Sequence, residues 1–245
     1  MTQPSEGFYS VDPLNPAVEP NHPALAALLE APADRPFVVA QLGQSLDGRI
    51  ATLAGESRWI NRDVALDHVH RLRASVDAVV IGVGTVLADD PVLTVRRVPG
   101  PNPARVVIDP RLRMPASARC LASSDGARRL LIRACDTQLA DGVETIAIAR
   151  VNGLLPPQAI VDALFARGLK RLLIEGGATT VSAFIDAGAV DRLHVLVAPV
   201  ILGSGKTGLS LAPIARLADA HRPRTDVYVL DDGDVLFDCQ LKSPR

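Results

Sequence analysis

The segment 171–184 limits the possible folds of this chain more than any other stretch. It reads Arg-Leu-Leu-Ile-Glu-Gly-Gly-Ala-Thr-Thr-Val-Ser-Ala-Phe. The apolar run predicts a buried strand over 172–175, and the following residues predict a helix that begins at Ala178. Gly176 and Gly177 allow the backbone to come close to a ligand at a point where any Cβ atom would collide. A strand, a glycine corner and a helix in immediate succession are typical of an α/β sheet.

The same corner carries polar groups that are suited to a ligand. The free N–H groups of the first helical turn, with the hydroxyls of Thr179 and Thr180 beside them, predict a phosphate site. Glu175 is a carboxylate at the carboxyl end of a buried strand, where α/β proteins bind their ligands. The alternative is a plain tight turn with a surface glutamate. The coincidence of strand, acid, glycine pair and helix start favours the ligand site.

Composition and charge exclude several classes of protein. The chain has 245 residues, 48% of them hydrophobic, and a formal net charge of −1, which gives no general attraction to nucleic acid or anionic membranes. Cys120, Cys135 and Cys239 are far apart and have no metal-ligand spacing, so free thiols are expected. A signal peptide and an apolar run of membrane-spanning length are both missing, so we expect a cytoplasmic protein.

The chain divides into a proline-rich N-terminal arm, 1–36, and one domain, 37–245. Seven prolines prevent the arm from forming a central strand or a long helix, although 23–30 can form a short one. We expect the arm to pack over the surface or a partner subunit, or to be partly disordered.

Hydrophobic periodicity predicts an α/β fold with a mostly parallel central sheet, helices on both faces and a closing antiparallel hairpin over Asp232-Gly233. Asn61 is the expected N-cap of a helix that runs to about Val76. A turn or short helix is expected over 84–89, and an amphipathic helix capped by Gly168 is expected over 156–167. The predicted strands are 37–44, 49–53, 77–83, 105–109, 129–133, 144–148, 172–175, 191–200, 228–231 and 235–241.

A second corner of the same kind follows the strand 77–83. Gly82-Val-Gly84-Thr85 again joins a strand to a helical turn. Two such corners in one sheet indicate a long phosphate-bearing ligand, such as a dinucleotide, across the strand ends. The ordinary Rossmann fingerprint is absent, because its third glycine would fall at Leu87.

The glycine-rich stretch 203–208 resembles a nucleotide-binding P-loop only superficially. That motif requires a glycine at position 200, where this chain has Val200, and a helix afterwards, which 209–213 does not suggest. A flexible loop is the preferred interpretation.

Basic residues near the corners are candidate phosphate ligands. Arg111 and Arg113 follow the strand 105–109, where they suit either a 2′-phosphate, favouring NADP over NAD, or an ordinary solvated turn. Guanidinium groups that suit a phosphate monoester flank the corner Gly82-Val-Gly84-Thr85. They belong to Arg71, Arg73, Arg96 and Arg97.

The remaining polar residues favour structural roles. Asp89-Asp90 precedes a proline and suits a polar turn better than a metal pair, and we predict no metal site. Trp59, the single tryptophan, lies in a loop, where it can stack on a ligand or fold against the core. The histidines form no triad and no metal spacing, and a structural role is expected for His22, His68, His70, His194 and His221.

Taken together, the motifs resemble the riboflavin-pathway reductase family, the reductase portion of bifunctional bacterial deaminase–reductases and their stand-alone relatives, which has a dihydrofolate reductase-like three-layer fold. The matching motifs are Ser45-Leu-Asp-Gly-Arg-Ile-Ala51, Gly55-Glu-Ser-Arg-Trp-Ile60, His70-Arg-Leu-Arg73, Gly82-Val-Gly-Thr-Val-Leu-Ala-Asp-Asp-Pro91, Leu93-Thr-Val-Arg96, Val106-Val-Ile-Asp109, Glu175-Gly-Gly-Ala-Thr179 and Ala198-Pro-Val-Ile-Leu-Gly203.

The resemblance implies a homodimeric, NADPH-dependent reductase in which the ring-opened imine of a ribosylaminopyrimidine phosphate accepts hydride at C1′. It implies cofactor contacts from Gly43, Trp59, Thr85, Asp89, Gly176, Gly177, Ala178, Thr179, Thr180, Val181, Ser182 and Ala183. It implies substrate contacts from Ser57, Arg73, Leu93, Arg96 and Glu175, with the arginines at the phosphate. The expected proton source is Glu175, Asp47 or water.

Three departures from the family pattern bear on function. The chain has no His-x-Glu and no Pro-Cys-x-x-Cys, so we expect no deaminase activity. Gln41 replaces a lysine of many bacterial members, and Pro110 replaces a small hydroxyl residue. Because of Gln41, an NADPH reductase of the same fold that acts on another imine or on a heteroaromatic ring is an alternative function. A dinucleotide-binding protein without turnover is a further alternative.

Overall fold

The computed structural model describes residues 9–12, 22–122, 125–137 and 139–242. The strands are β1 Tyr9–Asp12, β2 Phe37–Ser45, β3 Arg49–Thr52, β4 Ala78–Gly82, β5 Ala104–Ile108, β6 Arg129–Arg133, β7 Glu144–Ala147, β8 Arg171–Glu175, β9 Arg192–Ala198, β10 Gly205–Thr207, β11 Arg224–Val229 and β12 Val235–Gln240. The centre of the fold is a ten-stranded sheet with the order β1-β11-β12-β9-β2-β8-β4-β5-β6-β7, and β10 pairs with β3 in a separate two-stranded sheet.

The sheet is parallel from β9 through β2, β8, β4, β5 and β6 to β7, and β12 is antiparallel to both β9 and β11. This confirms the predicted α/β class, its mostly parallel sheet and its closing antiparallel pair. The hairpin strand β11 begins four residues before the predicted 228–231, because its first half, 224–226, consists of polar residues and lacks the apolar alternation on which the prediction was based.

Helices cover both faces of the sheet, as predicted. They are α1 Ala26–Leu29, α2 Asp63–Ser75, α3 Val83–Asp89, α4 Arg119–Ala122, α5 Pro157–Phe165 and α6 Ala178–Asp186, with 3-10 turns at Pro23–Leu25 and Leu217–Asp219. None of the helices described here is long and apolar enough to cross a bilayer.

Alternate residues of the parallel strands enter two separate cores. Val38 and Ala40 of β2 pack with α5 and α6, whereas Val39 of β2 packs with Leu72 of α2 and Val86 of α3. A strand that is buried on both faces reads as a continuous apolar run. This explains why the central strands were recognisable without alternation in their sequence.

The predicted N-cap Asn61 is wrong, because the residue that caps α2 is Arg62. The Asn61 side-chain amide instead donates to Leu196 O at 3.3 Å and to Asp234 Oδ2 at 3.0 Å. Asn61 has the chemistry of a good N-cap, but its side chain instead ties the loop before α2 to the sheet.

The flexible-loop interpretation of 203–208 is also wrong in part, because Gly205–Thr207 forms strand β10. A Cβ atom on Gly205 would lie 2.4 Å from Ala51 O of the paired strand. The glycine therefore serves close backbone pairing, and three residues are too few to show a strand period.

The described part of the N-terminal arm belongs to the folded body. The expected short helix is present as a 3-10 turn followed by α1, and Leu25 and Leu28 are buried in the core beside α2. Residues Tyr9–Asp12 pair in parallel with β11. The rest of the arm lies outside the described residues, and the division at residue 36 remains a prediction.

Candidate active site

The two glycine corners lie side by side at one edge of the sheet. Strands β4 and β8 are parallel neighbours, so Gly82 and Gly176 end them at the same rim. A Cβ atom on Gly82 would lie 2.4 Å from the Thr180 hydroxyl, and one on Gly177 would lie 2.8 Å from the Thr85 hydroxyl. Each corner thus receives the threonine of the other, and only glycine fits both positions.

A cavity of about 1530 Å³ opens over this rim. Its volume exceeds the range of roughly 300–1000 Å³ usual for a single small-ligand site, so it has room for two ligands together. The structure brings together most of the predicted site residues on its walls. They are Gly43, Ser57, Trp59, Arg73, Thr85, Asp89, Leu93, Arg96, Glu175, Gly176, Gly177, Thr179, Thr180 and Ala183.

Three residues of the predicted cofactor segment do not line the cavity in the described structure: Ala178, Val181 and Ser182. Val181 is fully buried in the core, and the Ser182 hydroxyl accepts a hydrogen bond from Ser210 N at 2.9 Å. The reason is helical geometry: residues three and four apart share one face of α6, so a continuous segment cannot face one ligand.

Asp47 is not among the cavity-lining residues either. Its carboxylate accepts hydrogen bonds from the Ser45 hydroxyl at 2.6 Å, Leu202 N at 3.1 Å and Gly203 N at 2.7 Å. These bonds, led by that of Ser45, lower the pKa of Asp47 to about 2. The geometry therefore argues against the predicted catalytic role, because such a carboxylate holds no proton near neutral pH and ties down a loop instead.

Glu175 is fixed in place by Arg73. Arg73 Nε donates to Glu175 Oε2 at 2.7 Å and Nη2 donates to Oε1, while Nη1 donates to Thr94 O at 3.0 Å. The side chains of Arg73 and Glu175 are only 8% and 14% exposed. Burial opposes the charge of Arg73, but the attraction of Glu175 outweighs it and raises the pKa of Arg73. Arg73 therefore orients Glu175, and its charge is already balanced.

His70 is a site residue that sequence reasoning missed. It lines the cavity, is 3% exposed, and its Nδ1 accepts a hydrogen bond from Arg96 N at 3.1 Å. Burial, together with the nearby charges of Arg73 and Arg96, lowers the pKa of His70 to about 4. A neutral His70 therefore anchors the backbone of Arg96. Its position one turn before the motif arginine Arg73 was the available signal.

His68 and His194 lie away from the cavity, and their structural role agrees with their contacts. His68 Nε2 lies 3.0 Å from His194 Nδ1, and His194 Nε2 lies 3.1 Å from Asp238 Oδ1. The ring of His22 meets that of His68 edge-on at 5.5 Å. This buried chain ties α2 to β9 and β12.

The carboxyl end of β5 extends the cavity beyond the corners. Asp109 is completely buried, and its two oxygens accept hydrogen bonds from Arg113 N at 2.9 Å and Met114 N at 2.8 Å. This bracing positions Arg113 on the cavity wall beside Pro110, whereas Arg111 does not line it. One arginine of the predicted pair thus faces the ligand space.

Trp59 and Gln41 both line the cavity, but Trp59 is exposed to solvent whereas Gln41 is buried. Trp59 has a φ of 71° and is 80% exposed, so its ring stands free on the loop after β3. Gln41 is buried and pairs in the sheet with Glu175 on β8. The loop interpretation of Trp59 is confirmed, and Gln41 places a neutral amide beside the Arg73–Glu175 pair.

The fold and the cavity together define an α/β protein with a candidate ligand site over two interlocked glycine corners at the carboxyl ends of parallel strands. Among the described residues, no group of three or more His, Cys, Asp or Glu side chains is placed to hold a metal ion. Comparison with known proteins then identifies the family. The chain belongs to the RibD C-terminal domain family, whose model matches residues 36–227.

Individual relatives agree with this membership. The chain is 37% identical over 183 residues to the 2,5-diamino-6-ribosylamino-4(3H)-pyrimidinone 5′-phosphate reductase of Archaeoglobus fulgidus, covering 69% of this chain and 83% of that protein. It is 35% identical over 178 residues to the riboflavin biosynthesis protein RibD of Aquifex aeolicus, covering 70% of this chain and 49% of that protein. The chain thus spans about half the length of this RibD relative.

A solved structure shows the same fold. The structure of Acinetobacter baumannii RibD superposes with a TM-score of 0.74 at 31% identity, covering 85% of this chain and 59% of that one. The resemblance inferred from the motifs is therefore confirmed at the level of family and fold.

Proposed function

We propose that this protein is an NADPH-dependent reductase that converts a ribosylaminopyrimidine 5′-phosphate to its ribitylamino form. In this reaction hydride adds to C1′ of the ring-opened imine, and a proton adds to the imine nitrogen. The observation that carries the proposal is the pair of interlocked corners beside the buried Arg73–Glu175 pair, within one cavity. The name of the archaeal relative supports the substrate class.

The corners fit the phosphates of a dinucleotide. Gly82 and Gly177 let the two corners pack against each other's threonine hydroxyls, and the N–H groups of the first turn of α6 suit a phosphate. NADPH bound there would supply the hydride, and the protein would supply position and a dry site. The braced Arg113 at the end of β5 suits the 2′-phosphate, which distinguishes NADPH from NADH.

The remaining polar groups suit the substrate. Glu175, held by Arg73, presents its carboxylate at the strand end, where it can hydrogen-bond the sugar near C1′. Arg96 lines the cavity and, among the described residues, its guanidinium has no hydrogen-bonding or ionic partner, so it is available to the 5′-phosphate. Glu175 accepts both Arg73 hydrogen bonds as a carboxylate, so water delivers the proton.

Turnover tests this proposal directly. Purified protein should oxidise NADPH when given either the 5-amino-uracil or the 2,5-diamino-pyrimidinone form of the ribosylamino phosphate, and the ribityl product should be found by mass spectrometry. Absence of turnover with both forms, in a protein that binds NADPH, would overturn it.

Cofactor choice has its own test. NADPH should quench Trp59 fluorescence at lower concentration than NADH. Arg113→Gln should raise the KM for NADPH and leave that for NADH unchanged, whereas Arg111→Gln, whose side chain lies outside the cavity, should alter neither. Equal effects of both substitutions would remove Arg113 from the cofactor site.

One observation favours a second candidate, a reductase of another imine or heteroaromatic ring. Gln41 is buried on the cavity wall next to Glu175, so the site lacks a positive charge that a lysine would supply there. Reduction of such a compound, together with inactivity towards both pyrimidines, would select this candidate. NADPH binding without any turnover would indicate a non-catalytic binding protein.

We also propose that the protein is a cytoplasmic homodimer that binds no nucleic acid. The family resemblance and the net charge of −1 support this. Sedimentation equilibrium of the full chain should give twice the mass of 25.9 kDa. A monomer across the micromolar range would contradict it.

A further inference from the structure

The proposed substrate carries a phosphate dianion, yet of the two arginines assigned to its phosphate so far, Arg73 and Arg96, only Arg96 lacks a side-chain partner among the described residues. Arg73 is balanced by Glu175, and each of its three guanidinium nitrogens already donates to a protein acceptor. Arg96 alone leaves the dianion half neutralised. Full neutralisation of the dianion therefore requires a second cation on the wall of the cavity.

We propose that Arg119 is a second ligand of the substrate's 5′-phosphate and forms with Arg96 a two-arginine subsite. This inference rests on the proposed function. Arg119 lines the same cavity as Arg96, although neither the motifs nor the family resemblance pointed to it. Guanidinium groups suit this task because their N–H forks match two phosphate oxygens at once.

The backbone near Arg119 is fixed by the end of α3. Arg119 N donates to Asp90 Oδ1 at 2.9 Å. Asp90 has a φ of 39° and ends α3 directly after Asp89, which lines the cavity. This hydrogen bond holds the start of α4 against the end of α3 at the wall of the cavity. The backbone of Arg119 is therefore fixed, while the residue itself stays exposed.

The partners of neighbouring arginines support the assignment. Arg97 is engaged by Asp67 at 2.6 Å and by Asp63 at 2.8 Å. Within the described residues, the guanidinium groups of Arg96 and Arg119 have no such partner. One carboxylate oxygen of Asp90 accepts the hydrogen bond from Arg119 N, and Asp89 is its neighbour in the chain. Negative charge is therefore close to the proposed subsite, but in the described structure neither carboxylate pairs with the guanidinium group of Arg96 or Arg119.

The two cations also influence each other. Burial, then the charge of Arg73, lowers the pKa of Arg96; Glu175 opposes this, and the charges of Arg97 and then Arg119 add to the lowering. Like charges that face one space destabilise each other until an anion arrives between them. A dianion is the ligand that relieves this repulsion best.

The experiment compares Arg119→Gln and Arg119→Lys with the control Arg111→Gln, an exposed arginine outside the cavity. Loss of a charge-assisted contact should raise the KM for the phosphorylated pyrimidine roughly tenfold to a hundredfold in Arg119→Gln. The kcat and the KM for NADPH should change less than about threefold. Arg119→Lys should recover part of the loss, because it restores the charge but not the fork.

A direct measurement of ligand binding distinguishes a failure of this inference from a failure of the proposed function. Ribose 5-phosphate and ribose are titrated calorimetrically against the same variants. Wild-type protein that binds ribose 5-phosphate and loses this affinity in Arg119→Gln supports the subsite, even if no pyrimidine is reduced. Normal turnover and an unchanged KM in Arg119→Gln overturn the subsite and leave the reductase function intact. A rise in the KM for NADPH instead of the pyrimidine would assign Arg119 to the cofactor's phosphate and also overturn it.

Discussion

Replacement of Arg73 by alanine provides the sharpest test of how Glu175 is held. Arg73 and Glu175 form a two-point ion pair that is almost completely buried. Removal of one member of a buried pair leaves an uncompensated charge, which costs about 3–5 kcal/mol. Arg73→Ala should therefore lower the free energy of unfolding by about that amount, which corresponds to a fall in Tm of roughly 6–20 °C for a chain of this size.

The double variant distinguishes orientation of Glu175 from direct phosphate binding. Arg73→Ala with Glu175→Gln removes the stranded carboxylate, so most of the lost stability should return while activity stays low. Urea unfolding of the two single variants, the double variant and wild type should give a coupling energy of at least about 2 kcal/mol.

Arg97→Ala is the matched control, because Arg97 pairs with Asp63 and Asp67 at a more exposed position. Such surface pairs contribute about 1 kcal/mol or less. The reasoning is refuted if Arg73→Ala unfolds like wild type, or if the coupling energy is near zero and only the KM for the phosphorylated substrate rises. Arg73 would then bind phosphate and would not hold Glu175.

Three further predictions concern other parts of the site. Gly177→Ala should raise the Kd for NADPH at least tenfold, since its φ is 70° and its Cβ would meet a threonine hydroxyl at 2.8 Å. Gly168→Ala is the control, because Gly168 has a φ of 82° with open space around it and does not line the cavity, so this variant should bind NADPH almost normally. Equal Kd values for NADPH in fluorescence titrations of the two variants would contradict this. The pKa of His70 lies near 4 in the fold and near 6.5 when unfolded, so the unfolded chain binds the extra proton and stability should fall, by up to about 3 kcal/mol from this group, as the pH decreases from 6.5 to 4. In urea titrations, the free energy of unfolding of His70→Asn should fall less between pH 6.5 and pH 4 than that of the wild-type protein. An equal fall in both proteins would exclude His70 as the source of the pH dependence. Asp47→Asn should leave kcat within about threefold, unlike Glu175→Gln, because Asp47 lies outside the cavity; a matching fall in kcat would restore its catalytic role.

Most of the secondary structure was predictable because local patterns produce it. The central strands are apolar runs bounded by glycine or aspartate, and α5 and α6 show helical spacing, so their existence and order followed directly. The errors arose where tertiary contacts override local preference. Asn61 has the right chemistry for an N-cap but bonds to Asp234, and β10 exists only because Ala51 lies opposite Gly205.

The site was predictable in part for the same reason. Motif residues identified Glu175, Arg73, Arg96 and Thr85, because family motifs are contiguous in sequence. The partners within the site were not, since they join distant segments: Arg73 is 102 residues from Glu175. The predicted phosphate role of Arg73 missed this pairing, and His70 was assigned to structure because its bond to Arg96 spans 26 residues.

The linear chain therefore carries the class of the fold, the position of each glycine corner and the kind of ligand that such corners accept, because these depend on backbone conformation over a few neighbouring residues. Folding in three dimensions sets which charges are neutralised and which remain free for a ligand, since ion pairing depends on distances between segments that sequence does not reveal. That difference separates Arg73, which is paired, from Arg96 and Arg119, which face the cavity.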